Sequence, residues 1–195
     1  MKKKIKIGVV GFGNISKKHT LAIDKNKQFE IAGVYDARNL DTKYNQYKNL
    51  DQMLKLNNEI DLISILSPSG YHFIQILKSL KNKKHVIVEK PVTMNLTQLK
   101  IIRKAEKKFK KKVFVVYQNR LNPLINFSKK KIQKKELGKI ILFNASLYWN
   151  RDNNYFKKSK WRGSKELDGG VIMNQGIHNI DIFYNFFGKV KTVFC

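Results

Sequence analysis

Residues able to do chemistry fall in a few short clusters along this 195-residue chain. The first is Ile5–Ser16, IKIGVVGFGNIS, where an apolar run meets the turn Gly11-Phe12-Gly13 and a helical pattern follows. A turn of this kind points backbone N–H groups at a helix N-terminus toward a diphosphate. Gly11 suits the tight turn and Gly13 a close approach of backbone to ligand. Ser16 replaces the third glycine of the fingerprint and is still small enough for helix–strand packing. Gly11, Gly13, Asn14 and Ile15 are the candidate contacts. Asp36 ends the second apolar run, 20 residues after Ser16. An acid there accepts hydrogen bonds from the adenosine ribose hydroxyls. Its charge repels a 2′-phosphate and favours NAD over NADP, a preference that the nearby Arg38 softens.

Two further clusters follow apolar runs that read as buried strands. Ser67, Pro68 and His72 follow the third, and Glu89-Lys90-Pro91 follows the fourth. In open α/β sheets, ligands bind outside the carboxyl ends of strands. A lysine there can hydrogen-bond a substrate hydroxyl, and its charge favours alkoxide character as hydride leaves. Taken alone, Lys90-Pro91 also reads as an ordinary loop start. Pro91 fixes the local turn and admits a cis peptide. Asn174, His178 and Asp181 sit at i, i+4 and i+7, one face of an α-helix. A neutral His beside a nicotinamide ring can accept a hydroxyl proton. An isolated His on a polar helix face more often reads as a partly exposed side chain. No cysteine pair joins His178 and Asp181, so no metal site is expected.

Alternating patterns must position these groups. Ile5–Val10, Phe29–Tyr35, Asp61–Leu66, His85–Val88 and Val113–Tyr117 read as strands. Lys17–Lys25, Asp51–Leu56, Tyr71–Leu80 and Leu96–Phe109 read as helices. This order predicts an α/β fold with a mostly parallel, doubly wound sheet. After about residue 120 the pattern changes. Pro123–Lys134 and Val171–Phe187 read as helices, Lys139–Trp149 and Val190–Cys195 as strands, and Asn150–Gly170 as an ordered loop.

Composition narrows the function classes. The chain is 42% hydrophobic, ample for a core. No run approaches the roughly 18 uninterrupted apolar residues of a membrane span, and the basic start, Met1 to Lys4, is not followed by a signal-peptide pattern. The one cysteine, Cys195, can form no internal disulfide, which fits a reducing cytoplasm. The formal net charge is +26, yet only Arg38, Arg103, Arg120, Arg151 and Arg162 are arginines. The excess is lysine on helix faces and in turns, with abundant Asn and Ile, the residues of AT-rich codons. The charge therefore reads as composition rather than specific nucleic-acid recognition, although such a surface attracts acidic metabolites.

In series, GFGNIS with His19, then Asp36, SPSGYH, EKP, QNRLNP and GG…NQGIHNID resemble the Gfo/Idh/MocA oxidoreductases, the glucose–fructose oxidoreductase and inositol dehydrogenase family. The resemblance implies an N-terminal Rossmann domain over residues 1–120. Residues 121–195 would form part of a substrate and dimerisation α/β domain with an open-faced sheet. It implies hydride transfer between NAD and a sugar or cyclitol, with Lys90 and His178 catalytic. Members are homo-oligomers and usually run beyond about 300 residues, so a C-terminally shortened chain is expected. Asn174 stands where many members carry Asp. With Trp161–Gly163 and MNQGIH, it resembles the nucleotide-sugar branch, the UDP-N-acetylglucosaminuronate 3-dehydrogenases of surface-polysaccharide (lipopolysaccharide) synthesis. Candidate substrate contacts are then Lys90, Asn119, Arg120, Trp161, Arg162, Asn174 and His178, arginine suiting a planar grip on carboxylate or phosphate. The alternative is a nucleotide-binding remnant without a complete substrate site.

Overall fold

The computed structural model describes residues 3–56, 58–159 and 161–194. The basic start at Met1 and Lys2 and the cysteine Cys195 lie outside the described residues. Contacts divide the chain into two compact units: Met1–Val116 with Glu166–Asp168, and Tyr117–Lys165 with Gly169–Cys195.

The first unit is built on six strands: β1 (Ile5–Val10), β2 (Phe29–Tyr35), β3 (Gln46–Tyr47), β4 (Leu62–Ile65), β5 (His85–Val88) and β6 (Val113–Val115). All pairings are parallel, in the order β3-β2-β1-β4-β5-β6, which is the doubly wound dinucleotide-binding order. Helices α1 (Ser16–Lys25), α2 (Leu50–Leu56), α3 (His72–Lys81) and α4 (Leu96–Phe109) connect them.

Successive β1 side chains face opposite sides of the sheet. Val9 packs with Ile7, Ile23, Val34 and Leu66, whereas Val10 joins the larger cluster of Met53, Ile63, Ile65, Ile76, Leu80 and Ile102. Burial on both faces explains why β1, β4 and β5 are nearly all apolar.

Register decides where the site lies. Val10 pairs with Tyr35 on β2 and with Ile65 on β4, and Ile65 pairs with Val88 on β5. Four strands therefore end level, and Gly11, Asp36, the Leu66–Ser67 turn and Glu89 leave the sheet along one edge. Distance in sequence becomes proximity because parallel strands share a direction.

The second unit holds a single turn at Gln118–Leu121, α5 (Pro123–Gln133), α6 (Asn153–Lys157) and α7 (Ile177–Phe187). Asn122 caps α5 by accepting the Leu124 N–H at 2.9 Å, with Pro123 in the first turn. Lys129 Nζ donates to Asn185 Oδ1 at 2.8 Å, joining α5 to α7. Phe143 packs its ring against Phe183, Phe186 and Phe187.

Several expectations need correction. Residues 139–149 form no strand: ladder hydrogen bonds require a neighbouring strand, none pairs here among the described residues, and Ile141 is 92% exposed. Residues 190–194 form none for the same reason. The loop expected at 150–170 contains α6, because Asp152 Oδ1 accepts the Tyr155 N–H at 2.9 Å and starts a helix. The short β3 was not foreseen, since two polar-flanked residues carry no periodicity.

Candidate functional site

The glycine turn takes its shape from its neighbours. Gly11 has φ +88°, and a Cβ there would stand 2.6 Å from the Ser67 backbone nitrogen. Only glycine satisfies both constraints. Ser16 is fully buried at the start of α1, and its Oγ donates to Gly13 O at 2.6 Å, closing the turn.

Asp36 reaches back to this turn. Its carboxylate accepts the Phe12 N–H at 2.7 Å, the Arg38 N–H at 3.0 Å and the Arg38 Nε–H at 2.8 Å. Arg38 Nη2 also donates to Phe12 O at 3.2 Å. Burial pushes the Asp36 carboxyl up. The Arg38 guanidinium and the two backbone N–H groups outweigh it and hold the group below the ordinary aspartate range.

The turns after β4 and β5 are tied together by His72, which is 1% exposed. Its Nδ1 lies 2.7 Å from Pro91 O and its Nε2 2.9 Å from Ser67 O. His72 is among the cofactor contacts expected from sequence. Buried between these two carbonyls, to one of which its N–H donates, it instead positions the two turns. Ser67 Oγ donates to Gln75 Oε1 at 2.6 Å, and Pro68 opens the single turn Ser69–Tyr71. His19 Nε2, from α1, lies 3.0 Å from Glu89 Oε1. The Lys90–Pro91 peptide is cis.

Lys90, half-buried between these braces, has its ammonium pushed below the ordinary lysine value by burial, against the opposing charges of Glu89 and Asp168. Asp168 is buried, in the short Glu166–Asp168 segment that returns to the first unit. Gly70 admits that segment: it donates its N–H to Leu167 O at 3.2 Å, and a Cβ on it would stand 2.3 Å from Glu166 O.

The second unit holds the remaining candidates. Asn119 is half-buried in the Gln118–Leu121 turn. Arg120 donates from Nε to Asp181 Oδ2 at 2.8 Å and from Nη2 to Asp181 Oδ1 at 2.5 Å. Sequence suggests Arg120 as a grip for substrate; in the structure its planar fork is already matched to a carboxylate on α7. Burial pushes the nearby Tyr117 hydroxyl up, aided by Asp181 and opposed by Arg120. Arg162 lies 4.0 Å from the Tyr155 ring centroid and 5.6 Å from that of Trp161. Residues Ile172–Gly176 form one wide, i→i+5 turn ahead of α7. Asn174 lies in that turn, and His178 and Asp181 follow it, three residues apart on α7.

Sequence reading missed Asp168, the Glu89 partner of His19 and the Asp181 partner of Arg120. His19 and Glu89 are 70 residues apart and Arg120 and Asp181 are 61 apart, so no local spacing signals either pair. The two glycines after Asp168 were the only sign of a special segment there.

The first unit fits a bound NAD on its own features. A Cβ at Gly13 would meet no protein atom within 4 Å, so internal packing does not demand a glycine there. The N-terminus of α1 has no side-chain cap and no acid in its first turn. The helix dipole and its first N–H groups suit a diphosphate. Gly11, Gly13, Asn14 and Ile15 would line the diphosphate, and Asp36 and Arg38 the adenosine ribose. Among the described residues no cluster of His, Cys, Asp or Glu is arranged to hold a metal, and no helix is long and apolar enough to cross a membrane.

Comparison with known proteins agrees with this geometry. Residues 5–117 match the GFO_IDH_MocA family, described as "Oxidoreductase family, NAD-binding Rossmann fold", and residues 126–195 match the GFO/IDH/MocA C-terminal domain. The WlbA dehydrogenase of Bordetella pertussis, solved in complex with NADH and UDP-GlcNAcA, is similar at 31% identity and a TM-score of 0.92, over 97% of this chain and 57% of that one. Glucose-6-phosphate 3-dehydrogenase of Bacillus subtilis is 25% identical over 93% of this chain and 53% of its own length. The scyllo-inositol dehydrogenase of Lactobacillus casei, solved with NAD(H) and scyllo-inositol, shares the fold at 24% identity and a TM-score of 0.79, over 96% of this chain and 57% of that one. The chain thus spans little more than half the length of these relatives. A match covering more than half of the sequence, laid over a parallel sheet with its glycine turn and Asp36 at the strand ends, places this chain in the Gfo/Idh/MocA family of oxidoreductases.

Proposed function

We propose that this protein is an NAD-dependent sugar dehydrogenase that oxidises a secondary hydroxyl, at C3 of UDP-N-acetylglucosaminuronate. The observation that carries the chemistry is Lys90. It leaves the carboxyl end of β5 half-buried, between backbone positions held by His19–Glu89 on one side and His72–Pro91 on the other. A lysine so placed presents an ammonium in a fixed direction and at lowered dielectric, where charge stabilisation is strongest. Similarity to a dehydrogenase solved with NADH and UDP-GlcNAcA supports the substrate.

The bound nicotinamide supplies the hydride acceptor. Lys90 Nζ donates a hydrogen bond to the C3 hydroxyl oxygen, and its charge stabilises the alkoxide as the C–H bond breaks. A ring nitrogen of His178 accepts the hydroxyl proton, leaving the ketone. Asp36 holds the adenosine ribose and disfavours a 2′-phosphate, with the Arg38 guanidinium moderating that preference.

The test is NADH formation by the full 195-residue chain with UDP-N-acetylglucosaminuronate, set beside glucose 6-phosphate and scyllo-inositol. Turnover of the nucleotide sugar, lost in Lys90→Ala and in His178→Ala while NAD binding survives, is expected. Full activity in both variants overturns the assignment. Thermal stabilisation by NAD with no NADH from any of the three leaves cofactor binding as the chain's function.

A further inference from the structure

One cluster in the second unit is unexplained by the hydride-transfer chemistry. Arg151 stands 4.9 Å from the Trp149 ring centroid and 4.5 Å from that of Tyr155, and Arg162 stands 4.0 Å from the same Tyr155 ring. Two cations therefore share one aromatic ring. Ordinary packing would set a carboxylate beside each of two such cations. Among the described residues neither arginine forms an ion pair. The nearest acid in sequence, Asp152, is committed to α6, accepting the Tyr155 N–H at 2.9 Å and the Asn154 amide at 3.3 Å. Arg162 Nε is buried and meets no acceptor among the described residues.

A guanidinium stacks by its face and hydrogen-bonds by its edge, so ring contacts leave the in-plane donors available. Two such edges with no counter-charge suit a ligand carrying adjacent anionic oxygens. We infer that Arg151 and Arg162, oriented by Tyr155, form a diphosphate-binding subsite for the nucleoside diphosphate part of the substrate. This rests on the nucleotide-sugar reading above. Trp149 and Trp161 flank the two arginines, each lying under one guanidinium.

That placement supplies a direct readout, because these are the chain's only two tryptophans. Titrating the full chain with inorganic pyrophosphate, then with UDP, should change tryptophan fluorescence saturably. Arg151→Ala and Arg162→Ala should each weaken both ligands about tenfold or more, the loss expected for a charge-assisted hydrogen bond. Arg162→Lys should restore little, since the planar fork is lost. Unchanged affinity in both alanine variants overturns the inference. So does an equal loss in Lys107→Ala/Lys108→Ala, which assigns the binding to bulk charge. NADH formation separates the two proposals. Turnover of the nucleotide sugar with KM unchanged in Arg151→Ala and Arg162→Ala overturns the subsite and leaves the dehydrogenase reading. Pyrophosphate held through both arginines without turnover of the nucleotide sugar retains the subsite as a diphosphate site and overturns that reading.

Discussion

Asp36 accepts the backbone N–H of Phe12 at 2.7 Å, so the acid at the end of β2 helps hold the glycine turn that follows β1. One side chain then has two tasks, fixing the turn and presenting a carboxylate at the strand ends. Asp36→Ala removes both and should lower stability by about 1–3 kcal/mol, because it leaves donors inside the turn without an acceptor. Urea unfolding measures the loss, and NAD affinity should fall in the same variant.

The lowered pKa of Asp36 sets a pH dependence of known sign. The folded-state value lies below the unfolded one. The stabilisation is therefore fully present above the unfolded aspartate value, about 3.9. It is lost as pH falls through the lower folded value. Wild type should lose stability relative to Asp36→Ala over that acid window and run parallel to it at neutral pH. Thermal melts across pH check this, and a constant difference down to the acid limit contradicts it.

Lys90 titrates in the opposite sense. Burial lowers its value, and the proposed step needs the ammonium. Turnover should decline as pH rises through a value below that of free lysine, about 10.4. Lys90→Arg keeps a charge that does not titrate in this range but changes the geometry. It should turn over weakly and lose the alkaline decline. A wild-type decline no earlier than that of free lysine excludes a burial-shifted Lys90.

His72→Phe fills a similar volume without the ring N–H. Burial favours the neutral imidazole, which has one N–H to donate, so the change orphans one of the Ser67 and Pro91 carbonyls, at a cost of about 1–3 kcal/mol. KM and kcat should both worsen, because the turn carrying Lys90 loses its tie to the turn after β4. A stability loss with kinetics unchanged assigns His72 to the core alone.

Arg120→Ala leaves Asp181, 8% exposed as a side chain, without its fork. Breaking a buried pair costs about 3–5 kcal/mol; the partial exposure of Arg120 to water brings the expected loss to about 2–3 kcal/mol. A double-mutant cycle with Asp181→Asn should return a coupling of about 1–3 kcal/mol. Zero coupling contradicts the pair.

The sheet and its glycine turn were legible because buried parallel strands write themselves as short apolar runs, and Gly11 and Asp36 follow two of them. The wide turn at Ile172–Gly176 was not, since a single i→i+5 turn is too short to set a period of its own. Residues 139–149 misled for a related reason. Ile140, Ile141, Phe143, Tyr148 and Trp149 have the propensity of a pleated surface, but a strand exists only beside a partner.

Sequence by itself determined the order of β1, β2, β4, β5 and β6 with helices α1 to α4 among them, the glycine turn after β1, and Asp36 and Lys90 beyond the ends of β2 and β5. Tertiary structure alone decided what those groups touch. It joined His19 to Glu89, placed His72 between two carbonyls and matched Arg120 to Asp181. Periodicity reports which face of an element is buried. The register of parallel strands and the folding of distant segments onto one another decide which two polar groups meet there, and no local pattern encodes that.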